Sequence, residues 1–317
     1  MTTGTRAALA LPHRALLHST PAEFARAAVP YLAEGVGAGE VAVVIAGPDA
    51  TELIHEGLGA AAHGVEFIAA AGWFTTPVAA LASYDERARQ DWWPRGRLRL
   101  LAEPVWAGRS ALEVREWLRH EALLNVALAG SPTTLLCAYD AADLPPALLA
   151  HAARTHPELV DEDGIRPSHG YVEPADFYAE CNAEPLAPPP ITAARRIFGA
   201  GELPGLRAFL TREAARHGLP AADTLPFVLA VNEVATMVIR DGGGHGALWV
   251  WAADGELVAD VTDPNRGMPD RFLGQLPPRP PHQADAAMWA VRRLCHIVEV
   301  RSNSMGTRVR LHLRLPA

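Results

Sequence analysis

Two carboxylates in the C-terminal part of the chain, Glu233 and Asp263, are the first candidates for chemistry. Apolar residues at helical spacing surround Glu233, and residues 242–244 are three glycines, as often found after a helix C-terminus. Two β-rich runs follow, and Asp254-Gly255 between them predicts a hairpin. The pattern places an acid on a helix opposite an acid at the end of a strand.

This order of elements resembles the Bergerat-type ATP-binding fold of the histidine-kinase and gyrase superfamily, and within it the bacterial anti-sigma-factor serine kinases. The resemblance covers roughly residues 192–317. It implies an α/β sandwich with a mixed sheet under helices. It also implies that Glu233 acts as the catalytic base or as an orienter, that Asp263 reads the adenine amino group, and that Gly306-Thr307 is an intact motif near the final strand.

The chain departs from that family in each nucleotide motif. Met237 stands where the family has an Asn that helps to hold Mg²⁺, and a thioether is a poor ligand for this hard ion. Asn265 replaces the Gly of Asp-x-Gly, and Asp285-Ala286-Ala287-Met288-Trp289 replaces a Gly-rich phosphate loop. The degenerate set of nucleotide-binding candidates is Glu233, Met237, Asp263, Asn265, Gly267, Ala287, Gly306 and Thr307. We expect binding of Mg·ATP to be weakened or lost.

Structural roles are the alternatives for both acids. Glu233 can be a partly buried structural acid, because Met237 removes its metal-binding partner. Asp263 can simply open an Asp-Pro-Asn turn, which is common at strand ends.

From His13 onwards, predicted strands and helices alternate. The run Val41-Ala-Val-Val-Ile-Ala is continuous and β-branched, which is typical of a strand buried on both faces. This alternation predicts a parallel α/β sheet with helices on both faces.

Several segments of this half resemble the MEDS domain, the methanogen and methylotroph sensory domain, which is a relative of RecA-like ATPases. They are Glu103-Pro-Val-Trp-Ala-Gly-Arg-Ser, Glu121-Ala-Leu-Leu-Asn, Leu136-Cys-Ala-Tyr-Asp and Thr155-His-Pro-Glu-Leu. The resemblance spans residues 13–175 and implies a RecA-like fold. The phosphate loop of the ancestor is missing, since Ala46-Gly47-Pro48-Asp49 is the nearest loop and the chain has no Lys. The implied role is sensing or docking, and not hydrolysis.

A sensory pocket is predicted from Cys137, Tyr139, Asp140 and His156. The alternatives are that Cys137 only packs in the core and that Thr155-His156-Pro157 is a helix-terminating turn. His13 and His18 flank the first predicted strand and are expected to be solvated rather than metal-binding. No metal site is predicted.

Length and composition limit the domain number, the class of partner and the cellular setting that fit these motifs. The 317 residues predict two domains, over residues 13–175 and 192–317, joined by a Pro-rich extended linker at 176–191. The net charge of −8 argues against a nucleic-acid-binding surface. No apolar run of about 18 residues predicts a membrane span. Three widely spaced cysteines are typical of a reducing, cytoplasmic setting.

Two classes of function remain. The first is a regulator whose sensory half responds to a small molecule or a partner. Its anti-sigma-like half would bind a sigma factor or a STAS anti-anti-sigma protein without phosphorylating it. The second is an active anti-sigma serine/threonine kinase that uses Mg·ATP, with Glu233 activating a Ser hydroxyl of its partner. The motif losses favour the first class, a binding protein with no certain cofactor. A homodimer is compatible with both classes.

Overall fold

The computed structural model describes residues 11–161, 163–264, 273–278, 283–304 and 306–316. The chain divides into two compact units, Met1–Phe177 and Tyr178–Ala317. Each unit is built around its own sheet, which agrees with the expected α/β two-domain class.

The first unit alternates strands and helices, as the sequence predicts. Its strands are β1 His13–His18, β2 Val41–Ala46, β3 Val65–Ala69, β4 Leu98–Ala102, β5 Thr133–Asp140, β6 Glu158–Asp161 and β7 Gly164–Pro167. Its helices are α1 Pro21–Gly37, α2 Pro48–Leu58, α3 Ala70–Trp73, α4 Pro77–Arg87, α5 Trp93–Arg95, α6 Ala111–Ala127 and α7 Pro146–Thr155. A 3₁₀ turn, Gly59–Gly64, precedes β3, and a π-helical turn, Ala88–Trp92, follows α4.

The sheet of the first unit has the strand order β3-β2-β4-β5-β1-β6-β7. Its pairings are parallel except for β6 with β7, which is antiparallel. Helices α1 and α2 cover one face, where Phe24, Ala28 and Leu32 pack on the even-numbered residues of β1 and β5. His13 and Cys137 lie on the opposite face, toward α6 and α7.

The second unit is a sheet covered by helices. Its strands are β8 Ala194–Gly199, β9 His245–Ala253, β10 Glu256–Asp263, β11 Ile297–Asn303 and β12 Gly306–Arg314, and its further helices are α9 Leu203–Arg216, α10 Ala221–Asp241 and α11 Gln283–Leu294. The strand order is β11-β12-β10-β9-β8, and all four pairings are antiparallel, where a mixed sheet was expected. Short turns explain part of this, because Asp254 and Gly255 have φ values of 52° and 75° and close the β9–β10 hairpin.

Helix α10 is the central helix of the second unit. Phe227, Val231, Val234 and Val238 are buried with side chains of β9, β10 and β12. By length and composition alone, α10 is also apolar enough to cross a membrane, a test that buried core helices pass as well. Core packing accounts for the buried face of α10, whereas Leu225 and Leu229 on the same helix are exposed.

The junction between the units differs from the extended linker expected over residues 176–191. Pro174–Cys181 forms helix α8, with proline at its start and an acid, Asp176, in its first turn, both of which favour a helix N-terminus. Further along, Arg301, Arg308 and Arg310 donate hydrogen bonds to the carbonyls of residues 184, 186 and 187. This part of the segment is therefore held against the second sheet by arginine side chains.

Candidate functional site

Four buried side chains with metal-ligating atoms meet on one face of the first sheet. His13 comes from β1, Cys137 from β5 and Glu121 from α6, and His156 directly follows α7. Their ligand atoms all lie within 4.8 Å of one another. We call these four residues the ligand cluster.

Strand register and helix position bring the cluster together. In the parallel β1–β5 pair, Ala15 is opposite Cys137, so His13 and Cys137 project from the same face. His156 is fixed at the end of α7, where its backbone N–H donates to the carbonyl of Ala152. The middle of α6 is buried, and Glu121 lies there between other buried residues.

The distances within the ligand cluster are short. Nε2 of His13 lies 3.4 Å from Sγ of Cys137 and 3.9 Å from Oε2 of Glu121. Nε2 of His156 lies 3.4 Å from the same Oε2. The two imidazole rings have centroids 4.0 Å apart. Two histidine nitrogens, one sulfur and one carboxylate oxygen thus converge on a common point.

Neighbouring groups fix the tautomers of both histidines. Asn125 donates through Nδ2 to the carbonyls of Ala122 and Thr155, so its Oδ1 is the atom that faces Nδ1 of His13, at 3.1 Å. Nδ1 of His13 must therefore carry the proton. Nδ1 of His156 likewise donates to the carbonyl of Ala152, at 2.8 Å. In its neutral form, each histidine therefore directs the lone pair of Nε2 into the cluster.

Burial dominates the electrostatics of this region. Desolvation, followed by the neighbouring His156, lowers the pKa of His13 well below its ordinary value, so this imidazole is neutral. Desolvation and then Glu121 raise the pKa of Cys137 and of Tyr139 well above their ordinary values. The protein alone therefore keeps Cys137 as a thiol.

Beside the ligand cluster lies a layer of buried polar aromatic residues that we call the aromatic shell. Its members are Trp73, Tyr84, Trp106, His120 and Tyr139, whose side-chain polar atoms make no hydrogen bond of good geometry. Weaker contacts join Tyr84 to Trp73, Tyr139 to Glu121 and His120 to the backbone of Pro77. Rings connect the shell to the cluster, since the centroid of Tyr139 lies 5.6 Å from His156 and 6.0 Å from Trp106. A buried polar atom without a partner costs about 1–3 kcal/mol, so the shell is suited to binding a small polar molecule or water.

The structure brings together three of the four residues predicted to form a sensory pocket. Cys137, Tyr139 and His156 are buried side by side. Asp140 lies at the end of β5, where its Oδ1 accepts a hydrogen bond from the backbone N–H of Ala142. Because side chains alternate along a strand, Asp140 cannot share the face of Cys137 and Tyr139.

Sequence reasoning was wrong about the exposure of His13 and His18, which are both buried. They are the first and last residues of β1, which lies in the interior of the sheet. The sequence pattern had placed them on either side of this strand. Reasoning from sequence also missed Glu121 as a site residue. The signal available was a run of ionisable residues, Glu116, Arg119, His120 and Glu121, in a helix that also carries Trp117 and Leu118.

Two helix N-termini at the carboxyl edge of the first sheet, those of α1 and α2, are satisfied by the chain's own side chains. The backbone N–H of Gly47, at the start of α2, donates to Oε2 of Glu103 at 2.8 Å. At the start of α1, the backbone N–H of Ser19 donates to Glu23, whose own N–H donates to Thr20. A carboxylate therefore lies where a phosphate-binding loop would place an anion.

In the second unit, Asp263 is enclosed by two glycines. A Cβ atom on Gly242 would lie 1.9 Å from Oδ2 of Asp263, and one on Gly306 would lie 2.2 Å from its carbonyl oxygen. Thr307 is the register partner of Asp263 across the β10–β12 pair, and its hydroxyl lies 2.8 Å from that of Ser302. The C-terminal end of β10 thus brings together the carboxylate of Asp263, the hydroxyls of Ser302 and Thr307, and the closely packed backbone of Gly242 and Gly306.

These groups line a cavity of about 710 Å³. Three predicted nucleotide-binding residues, Asp263, Gly306 and Thr307, lie in its wall. Arginine side chains also line it, namely Arg292, Arg301 and Arg308. The cavity therefore combines an acid with hydroxyl groups and cations.

The other predicted nucleotide positions lie apart from this wall. Met237 is buried in the core, Ala287 packs against the same core, and Glu233 is half-buried on α10. None of these three lines the cavity. Asn265 and Gly267 lie outside the described residues.

The first unit is similar to a known family of sensory domains. Residues 12–157 match the family model of the MEDS domain, the methanogen/methylotroph, DcmR sensory domain. This match covers the strands and helices that supply the ligand cluster, and it ends directly after His156. It agrees with the resemblance found in the sequence for this part of the chain. No curated protein matches the chain.

Similar solved structures include the RsbU and RsbW domains of a Mycobacterium tuberculosis protein. That similarity has 19% identity and a TM-score of 0.30, over 40% of this chain and 32% of the other. A blue-light activated histidine kinase of Erythrobacter litoralis has 21% identity and a TM-score of 0.26, over 35% of this chain and 42% of the other. A mycobacterial sensor histidine kinase, MprB, has 15% identity and a TM-score of 0.25, over 39% of this chain and 100% of the other. The chain thus matches about a third of the first structure's length.

Proposed function

We propose that this chain is a cytoplasmic signal-transduction regulator. In this proposal the MEDS segment senses a small molecule, and the second unit binds a sigma factor or a STAS anti-anti-sigma protein. The second unit acts through its surface, as a degenerate relative of the anti-sigma kinases, and transfers no phosphate.

The observation that carries this proposal is the position of Met237. It lies on α10 one helical turn after Glu233, and its side chain is buried with the apolar core of the second unit. A Mg²⁺ ion needs hard oxygen ligands, and a buried thioether supplies none. The half-buried Glu233 consequently lacks the partner that a metal-assisted phosphoryl transfer from this helix would need.

The aromatic shell supports the sensory part of the proposal. It places poorly satisfied indole, phenol and imidazole groups inside a segment that matches a sensory family. A small polar ligand would satisfy these groups, and its binding would stabilise the first unit by mass action. The carboxylate of Glu103 at the start of α2 argues against a nucleotide phosphate at that place.

An active serine kinase is the second candidate. The cavity lined by Asp263, Gly306 and Thr307 favours it, because these residues match family positions that contact the nucleotide. Arg292, Arg301 and Arg308 would add positive charge for phosphate groups. This candidate requires another residue to supply the metal ligand that Met237 does not.

Calorimetric titration of the full chain with ATP, with and without Mg²⁺, separates the two candidates. The regulator is expected to show millimolar binding or none, with no dependence on Mg²⁺. Micromolar binding that needs Mg²⁺ would overturn the proposal, and transfer of radiolabelled phosphate to a purified STAS-domain protein would then establish the kinase.

Partner binding is tested with a purified STAS-domain protein and a purified sigma factor from the same bacterium. Glu233→Ala should leave the affinity for the partner unchanged, because binding does not use the phosphoryl-transfer position. Glu213→Ala, on the neighbouring helix α9, is the matched control for loss of a half-buried acid. Loss of partner binding in Glu233→Ala alone, with the fold preserved, would contradict the proposal.

A further inference from the structure

We propose that His13, Glu121, Cys137 and His156 form a binding site for one divalent transition-metal ion, with Zn²⁺ as the best-fitting ion. The site lies within the first unit and does not depend on what the second unit binds. It uses two residues predicted to line a sensory pocket, Cys137 and His156, together with two that sequence reasoning did not assign.

The distances suit four ligands around one small ion. Zn²⁺ binds nitrogen and oxygen at about 2.0–2.2 Å and sulfur at about 2.3 Å, which places tetrahedral ligand atoms roughly 3.3–3.8 Å apart. In the ligand cluster, Nε2 of His13 lies 3.4 Å from Sγ of Cys137 and 3.9 Å from Oε2 of Glu121. Nε2 of His156 lies 3.4 Å from the same Oε2. The largest separation stays within 4.8 Å. Small side-chain rotations would complete the tetrahedron.

Both histidines are oriented as metal ligands usually are. A ligating imidazole commonly donates its second ring N–H to a carbonyl or an amide oxygen, which fixes its tautomer and direction. Here Asn125 accepts from Nδ1 of His13, and the carbonyl of Ala152 accepts from Nδ1 of His156. Asn125 is itself anchored by hydrogen bonds to two carbonyls.

Without a cation the cluster is poorly satisfied. Oε2 of Glu121 faces two Nε2 atoms, and it makes no hydrogen bond of good geometry with Nε2 of His156 at 3.4 Å. The thiol of Cys137 and the hydroxyl of Tyr139 contact the same carboxylate only weakly. Glu121 is only 1% exposed, so water does not replace these partners at the protein surface. A metal ion placed between the four atoms would accept all of these lone pairs at once.

The charges also balance. A divalent ion bound by one carboxylate, one thiolate and two neutral imidazoles forms a centre with no net charge, which lowers the cost of burial. As the metal–sulfur bond forms, the proton of Cys137 leaves to solvent. The mixed nitrogen, sulfur and oxygen donor set suits Zn²⁺, whereas Mg²⁺ and Ca²⁺ require oxygen ligands.

The first test measures metal content and its dependence on two of the four ligands, Cys137 and His13. The full chain is produced with added Zn²⁺, dialysed, and analysed by inductively coupled plasma mass spectrometry. One zinc per chain is expected. Cys137→Ala and His13→Gln should each reduce the zinc content at least tenfold. Two matched controls, Cys295→Ala and His18→Gln, remove a buried thiol and a buried imidazole elsewhere and should keep one zinc per chain. Wild-type protein without zinc, or equal loss in the controls, would overturn the proposal.

The second test does not depend on whether the variants fold. X-ray absorption at the zinc edge of the wild-type chain should show one sulfur at about 2.3 Å and three nitrogen or oxygen neighbours at about 2.0–2.1 Å. Replacement of zinc by Co²⁺ in the wild-type chain should produce a sulfur-to-metal charge-transfer band. A sulfur-free shell, or a shell of oxygen atoms alone, would show adventitious binding elsewhere and reject this site.

Discussion

Nε2 of His13 lies 3.4 Å from Sγ of Cys137, although 124 positions separate the two residues in the sequence. Strands β1 and β5 are parallel neighbours, so a crossover connection is needed between them, and three strands and several helices intervene. The contact therefore exists only in the folded first unit. Any metal ion held by this pair would be coupled to folding of the whole sheet.

Asn125 should tune the metal site without binding the ion. Asn125→Ala removes the acceptor for Nδ1 of His13 and is expected to weaken zinc affinity about 10–100-fold, because outer hydrogen bonds orient the ligating ring. Competition with a chromophoric chelator measures this change. Asn232→Ala, which removes an amide from α10 in the second unit, is the control and should not change the affinity. Equal affinities for all three proteins would show that Asn125 has no positioning role.

Removing the charge of Asp260 should destabilise the second unit, although burial itself raises the pKa of this carboxyl. It is completely buried and pairs with Arg310 at 2.6 Å and with Arg308 at 3.2 Å. Asp260→Asn leaves these cations without a counter-charge, so the free energy of unfolding should fall by about 3–5 kcal/mol. Urea denaturation measures the change.

The exposed pair Arg14–Glu158 provides the matched control for Asp260. Its side chains are 20% and 37% exposed, so Glu158→Gln should cost less than about 1 kcal/mol. If both substitutions cost the same, burial would not determine the strength of the Asp260 interaction.

Local sequence patterns were sufficient to predict most elements of the fold. The continuous run Val41–Ala46 forms a buried strand, and Asp254-Gly255 closes a hairpin, because both signals act over a few residues. The antiparallel pairing of the second sheet and the helix Pro174–Cys181 were not predicted. Strand pairing depends on contacts between distant segments, which local patterns do not report. The prolines around α8 favoured an extended linker, so the helix was not predicted.

The ligand cluster was less predictable than the fold. Its four residues lie on four elements, so no short spacing marks them. Glu121 follows charged residues on α6, a pattern that is usually typical of a solvated helix face, and only tertiary packing buries it. Cys137 and His156 were recognised through a family resemblance, whereas His13 and Glu121 required the folded structure.

His312 should make stability depend on pH above neutrality. Burial opposes its charged form, but hydrogen bonds to Glu256 and Glu299 raise the pKa of His312 to about 9. A folded-state pKa above the unfolded value of about 6.5 gives stability that is complete below pH 6.5 and lost as the pH rises through 9. The loss should be on the order of 3 kcal/mol.

Thermal or urea unfolding between pH 6 and pH 10 measures this dependence. In His312→Gln the slope between pH 6.5 and pH 9 should largely disappear. His55→Gln, which removes an imidazole stacked on Phe67 in the first unit, is the control and should keep the slope. An unchanged slope in His312→Gln would assign the pH dependence to other groups.

Gly306 should be sensitive to even a single methyl group. Its φ of 125° disfavours other residues, and an added Cβ would lie 2.2 Å from the carbonyl oxygen of Asp263. Gly306→Ala should reduce the free energy of unfolding by about 3 kcal/mol or more. Gly201→Ala is the control, because Gly201 has a φ of 85° but no atom within 4 Å of an added Cβ, and about 1–2 kcal/mol is expected. A similar loss of unfolding free energy at both glycines would mean that the close approach to the carbonyl oxygen of Asp263 adds nothing to the cost of a side chain at Gly306.

Restoring the family residues should recover nucleotide binding if the second unit descends from a kinase. The variant Met237→Asn, Asn265→Gly, Ala287→Gly returns an amide oxygen for Mg²⁺ and two positions without side chains for close approach of the ligand. Calorimetry should then show affinity for ATP at least tenfold higher with Mg²⁺ than in the wild type. The control carries Met237→Leu with the same two glycines, and it should gain no dependence on Mg²⁺ because leucine has no ligand atom. Burial of Met237 predicts that Asn at this position also costs about 1–3 kcal/mol of stability, so folding is checked by circular dichroism. A folded triple variant without Mg²⁺-dependent binding would mean that these three positions do not correspond to the family motifs.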